Sequence, residues 1–179
     1  MKKLLLILTL FLSSTFYAHA QSYITEEGKA VFYSKVPLHN FSGTSNNLTG
    51  RIDLNDKSVD FYIDLETLDT GNGKRDRDMK KTLKTDKYPY GEFLGTLVSD
   101  FDANSDAEQA VKVKGTFQIH GHEQEIEVEG TLQKTAEGLV VKASWILNLD
   151  DYEIKPPKIL FVKVDEKQEI EIEAVLKPE

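Results

Sequence analysis

Apolar and polar residues alternate one for one along run after run of this chain. In Val59 to Leu65, Val59, Phe61, Ile63 and Leu65 fall on one face, and Asp60, Tyr62 and Asp64 on the other. Gln124 to Leu132 sets Ile126, Val128, Gly130 and Leu132 against Glu125, Glu127, Glu129 and Thr131. Leu139 to Leu149 places Val141, Ala143, Trp145 and Leu147 together, and Glu169 to Leu176 repeats the glutamate-out pattern. A period of two is the signature of a half-buried β-strand and cannot be satisfied by a helix.

The same reading marks Lys29–Val36, Leu48–Leu54, Glu92–Phe101 and Ala110–His120 as strands, eight in all. Pro37 to Gly43 reads as a connecting loop with Phe41 as an apolar plug. Asn55–Lys57, Asp102–Glu108 and Gly121 read as turns, and Asp150–Lys158 as a loop followed by a short extended piece, Ile159–Val164. Short polar turns between consecutive strands imply an antiparallel meander. Runs of about ten residues at ~3.3 Å each would span roughly 30 Å. Eight long strands with one polar face are solved most economically by a closed up-and-down barrel, with a sandwich as the other solution. Outward rows of glutamate discourage edge-to-edge pairing.

One segment breaks the pattern. Leu68 to Phe93 reads LDTGNGKRDRDMKKTLKTDKYPYGEF. Thr70–Gly73 interrupts the strand, Arg75–Leu83 can form about two helical turns, and Pro89 stops any continuation. Met79 and Leu83, four apart, share a face. Asp76 and Asp78 suit the helix start; Lys80, Lys81 and Lys84 suit its end.

The first twenty residues stand apart from the fold. Lys2 and Lys3 precede an apolar run, Leu4–Leu12, too short to span a bilayer, and Ala18-His19-Ala20 offers a small-residue cleavage site. Residues 1–20 read as a cleaved signal peptide and 21–179 as one domain, periplasmic or secreted. There is no cysteine, so the core alone must hold an exported product. Losing Lys2 and Lys3 takes the net charge from −8 to −10. That excess argues against nucleic acid or an anionic membrane as partner.

The candidate inner faces carry Phe61, Ile63, Phe93, Phe117 and Trp145 among the small residues Gly95, Gly115, Gly130 and Ala143. Such a mixture can fill a barrel or leave a channel. No polar group stands out on these faces, so a ligand would be apolar. Phe41, Met79, Leu83 and Tyr88 would close one end. The basic cluster from Lys74 to Lys87 reads either as a solvated helix with weak ion pairs or as a ring of charge at the barrel mouth. In the second reading Arg75, Lys80, Lys81 and Lys84 hold a phosphate or lipid head group.

His120 and His122 flank Gly121 and lack a third ligand, so no metal site is expected. Asp102-Asn104-Asp106 has the spacing of a calcium loop, but Ala107 and Val113 stand where glycine and glutamate are needed. No nucleophile elbow, glycine-rich phosphate loop or HExxH motif is present, and no catalytic activity or cofactor is expected.

The stretch D-T-G-N, R-D, Y-P within Leu68–Phe93, with Ile119-His120-Gly121 downstream, resembles the signature of YceI-like proteins. The resemblance covers nearly the whole mature chain. It implies a lipocalin-like eight-stranded barrel that binds a polyisoprenoid lipid in an apolar channel, often in the periplasm. It departs at Asn148–Ile154, where the family's arginine-containing stretch is lacking. The expected function is therefore an exported binding protein for an isoprenoid (polyprenyl or quinone-like) lipid, without stable membrane insertion. The alternative is a filled barrel with a structural or stress-response role acting through a protein partner. A homodimer is an expectation from the resemblance alone.

Overall fold

The structure is a computed structural model and describes residues 22–35, 40–156 and 164–179. Eight strands form a closed antiparallel barrel in sequence order: β1 (Ser22–Ser34), β2 (Phe41–Asp53), β3 (Ser58–Asp64), β4 (Tyr90–Leu97), β5 (Gln109–Ile119), β6 (His122–Thr135), β7 (Gly138–Asn148) and β8 (Lys167–Pro178). The helix α1 (Gly73–Leu83) lies between β3 and β4. The barrel closes where β1 pairs with β8, Phe32 opposite Ile170. Closure leaves no edge, so the glutamate rows do not guard one. They serve instead as cross-strand partners. Lys112 pairs with Glu127 and Glu129 at 3.2 and 2.7 Å, and Lys142 with Glu173 at 3.6 Å. Such solvent-exposed pairs contribute little to stability.

The period-two faces hold. Val59, Phe61, Phe93, Leu97, Val111, Phe117, Val128, Leu132, Val141 and Leu147 are all buried inside. Two strands begin well before the sequence pattern suggests. β1 begins at Ser22, not Lys29, because its register with β2 shifts between Thr25 and Gly28 and again between Gly28 and Ala30. A bulge adds residues to one strand only, so alternation read through it loses phase. The shift has the same effect on β2, which begins at Phe41, not Leu48. The polar stretch Ser42–Asn47 looks like loop, yet Ser45 is buried with its hydroxyl 2.6 Å from that of Thr67. Phe41 is therefore a strand residue and not a loop plug. In the other direction, β4 stops at Leu97, four residues short of Phe101.

The β5–β6 hairpin turns on His120 and Gly121, both at positive φ (58° and 80°). A two-residue turn with both centres left-handed matches the twist of the flanking strands. Leu149–Tyr152 forms a 3-10 turn within the expected loop. The signal-peptide segment and the extended piece over 159–163 lie outside the described residues.

Candidate functional site

The barrel encloses a cavity of about 410 Å³, within the roughly 300–1,000 Å³ of pockets that hold small ligands. Its lining reaches from Phe41 and Arg75 at one end to Ile52, Leu97, Val111 and Leu132 near the other. Along β2, Phe41 to Ile52 corresponds to roughly 35 Å of strand, or about 27 Å of barrel height at a ~40° tilt. The space is thus a channel and not a surface dimple. Phe32, Val113, Trp145, Ile170 and Ile172 all line it and are only half buried. In a filled barrel residues of this kind would be sealed against one another.

Glycines keep the lumen open. Gly50 pairs with Phe61 across β2 and β3, and a Cβ on Gly50 would sit 2.0 Å from Phe61 Cδ1. Gly43 stands in the same relation to Phe32, at 2.2 Å from Cε1. Both rings lie down over a neighbouring strand that has no side chain there. They cover the wall without filling the centre.

At the mouth, α1 starts because Asn72 Oδ1 accepts from the backbone N–H groups of Lys74 and Arg75 at 3.1 and 3.2 Å. A cap of this kind contributes about 1 kcal/mol. The helix stops at Lys84, which adopts the left-handed conformation at φ 52°. It is tied down at both ends. Asp76 Oδ1 accepts from the Thr70 N–H at 2.9 Å and from its hydroxyl at 2.6 Å. Lys80 pairs with Glu66 at 3.0 Å, and the Thr85 hydroxyl donates to the same carboxylate. These contacts hold Asp76 below the usual carboxylate range, with Thr70 the chief cause, and Glu66 likewise through Thr85 and then Lys80.

Of the predicted channel residues, Phe41, Phe61, Ile63, Met79, Leu83, Phe93, Phe117 and Trp145 line the cavity. Tyr88 does not. Its ring packs edge-on against His120 with centroids 5.7 Å apart, under Lys87 at 4.8 Å. The predicted basic ring also reduces. Arg75 lines the mouth with its guanidinium 4.4 Å above the Phe41 ring, and Phe41 in turn meets Phe32 edge-on at 6.0 Å. Lys80 is turned to Glu66, Lys84 caps the helix, and neither they nor Lys81 line the cavity. A helix presents about a third of its surface to one side, so a run of seven cations cannot all face the lumen.

The inner face is less purely apolar than its alternation suggests. Ser34 is 1% exposed and lines the cavity, and its Oγ has no hydrogen-bond partner among the described residues. Trp145 Nε1 is likewise unpartnered, its ring edge-on to Phe117 at 5.7 Å. Gln168 lines the same space and donates from Nε2 to the Asp165 carbonyl at 2.5 Å. Ser34 follows the Ala30–Phe32 alternation, and Gln168 precedes that of Ile170 and Ile172. Extending each pattern by one step finds both. Ile154, which also lines the cavity from the loop after β7, carries no such signal.

The two histidines do not converge on a metal. His120 is buried, and its Nδ1–H donates to the Tyr152 carbonyl at 3.0 Å. His122 lies 3.7 Å from Glu153. Asp102 is engaged by its own loop, accepting from the Asn104 N–H at 2.9 Å. Among the described residues no group of three or more histidines, cysteines or carboxylates could hold a metal ion.

Solved structures share this architecture. A polyisoprenoid-binding domain from Saccharophagus degradans, described as implicated in plant cell wall breakdown, superposes with a TM-score of 0.75 at 15% identity. It covers 90% of this chain and 100% of its own. Burkholderia cenocepacia BcnA gives 0.67 at 15% identity, over 83% of this chain and 94% of its own. The Campylobacter jejuni YceI protein gives 0.52 at 16% identity, over 88% and 85%. No curated protein sequence matches this one. The YceI-like domain model matches residues 19–176, nearly the whole length of the barrel, and the chain belongs to the YceI-like family.

Proposed function

We propose that this protein is an exported, soluble, non-catalytic binding protein that holds an apolar isoprenoid lipid, polyprenyl or quinone-like, in the barrel channel. The observation that carries the reading is the open lumen: aliphatic and aromatic side chains from all eight strands face one continuous space and leave it unfilled. Burying such surface against a lipid chain stabilises the complex by roughly 25 cal/mol per Å². The polyisoprenoid-binding description of the Saccharophagus degradans domain supports the ligand class.

Phe41, Phe61, Phe93, Phe117 and Trp145 grip the chain, with Met79 and Leu83 above it. Arg75 meets the polar head at the mouth, because a guanidinium offers a planar fork of donors to an acceptor. Export rests on the basic, apolar and small-residue pattern of residues 1–20. The rival idea of a filled barrel loses its premise in the open lumen.

Mass spectrometry of an organic extract from the purified native protein tests the reading. A recurrent polyprenoid in stoichiometric amount is the expected result. A lipid-free extract, combined with no uptake of added prenols, would overturn it.

A further inference from the structure

The channel does not run the full length of the barrel. Its lining ends at Ile52, Leu97, Val111, Leu132 and Val141, while Tyr23, Leu139 and Leu176 lie beyond and do not border it. Tyr23 sits opposite Ile52 in the β1–β2 ladder, and Leu139 sits opposite Leu176 in the β7–β8 ladder. Tyr23 is 5% exposed and both leucines are fully buried. These three side chains meet the other residues of the hydrophobic core cluster at that end. The channel is therefore bordered by α1 at one end and stopped by packed side chains at the other.

We infer that Tyr23, Leu139 and Leu176 form the floor of a molecular ruler that limits the length of lipid chain buried in the barrel. The inference rests on the lipid-binding reading and specifies its ligand. The lumen, about 410 Å³ in volume and about 27 Å deep along the barrel axis, takes a fixed length of chain. A longer chain cannot pass the floor, so its remainder leaves through the mouth and gains nothing from the lumen. The ligand class is accordingly a short linear isoprenoid, or the head-proximal or terminal portion of a longer one.

Floor residues act on specificity by truncation or growth. Removing the Tyr23 ring extends the channel past Ile52. Adding bulk at Ala143, a half-buried lumen residue that lies between Gly130 on β6 and Ile172 on β8, raises an obstruction midway. The two changes move the limit in opposite directions. This separates a ruler from a general loss of packing.

The experiment is a competition assay with a graded series of linear prenols against the full mature protein, Tyr23→Ala and Ala143→Phe. With the unsubstituted protein, affinity should rise by up to about fourfold per buried methylene and then stay level within about twofold once the chain reaches the floor. Tyr23→Ala should move the plateau to longer chains and Ala143→Phe to shorter ones. If Tyr23→Ala does not fold, Ala143→Phe alone decides: an unshifted plateau overturns the ruler. A steady rise with no plateau in the unsubstituted protein also overturns it while leaving lipid binding intact. Failure of every prenol to bind overturns the binding reading itself.

Discussion

Phe61 lies flat over Gly50, its cross-strand partner, so closely that a Cβ on Gly50 would stand 2.0 Å from Phe61 Cδ1. The pair explains how a barrel rich in aromatic side chains keeps a hollow centre. A ring needs area, and glycine supplies it on the wall. Any side chain at position 50 must push the ring toward the lumen.

Gly50→Ala should therefore both destabilise the barrel and narrow it. Overpacking of this kind costs about 1–3 kcal/mol, read as a lower midpoint in urea with an unchanged slope. Combining it with Phe61→Leu, which withdraws the ring, should recover most of the loss. An alanine variant as stable as the parent would show that the ring has room to move elsewhere.

The tethers of α1 should loosen in acid. Asp76 and Glu66 have folded-state pKa values below their ordinary 3.8 and 4.5, through Thr70 and through Thr85 with Lys80 respectively. The unfolded chain thus binds protons more readily than the folded one. Their contribution is whole above the ordinary carboxylate range and is lost as pH falls through the lowered folded values. The protection of the α1 amides against hydrogen exchange, relative to their intrinsic rates, should fall below about pH 4 ahead of that of the β-strand amides. In Thr70→Val the Asp76 part of that acid sensitivity should shrink. Uniform exchange across the helix and the strands at every pH would contradict the assignment.

Among the cations of the helix segment, Arg75 and not Lys80, Lys81 or Lys84 should govern the head group. Arg75→Ala should weaken binding of a prenyl phosphate by about tenfold, close to 1.4 kcal/mol, and that of the matching prenol much less. Lys81→Ala should change neither beyond about twofold, since the Lys81 side chain does not border the cavity. Equal losses for Arg75→Ala and Lys81→Ala would return the effect to the general charge of the helix.

Much of this was legible in the chain. Alternation places Val59, Phe61, Phe117 and Trp145 inward because a strand offers only two faces, whatever it pairs with. The break at Thr70–Gly73 and the Pro89 that follows bound a helix for equally local reasons. The bulges near Thr25 and Gly28 escaped that reading. A register shift is a property of two strands, and neither strand shows it alone.

Alternation and local helix signals by themselves determined the class of fold, the inner and outer faces and the place of the one helix. Each follows from interactions within a few residues. Tertiary structure decided whether the barrel is hollow, where the channel stops, and which of the helix cations border it. Those outcomes depend on residues far apart in the chain: Gly50 with Phe61, Leu139 with Leu176, Arg75 with Phe41. Shape complementarity between distant side chains is set only once strand register is closed, and composition cannot report it in advance.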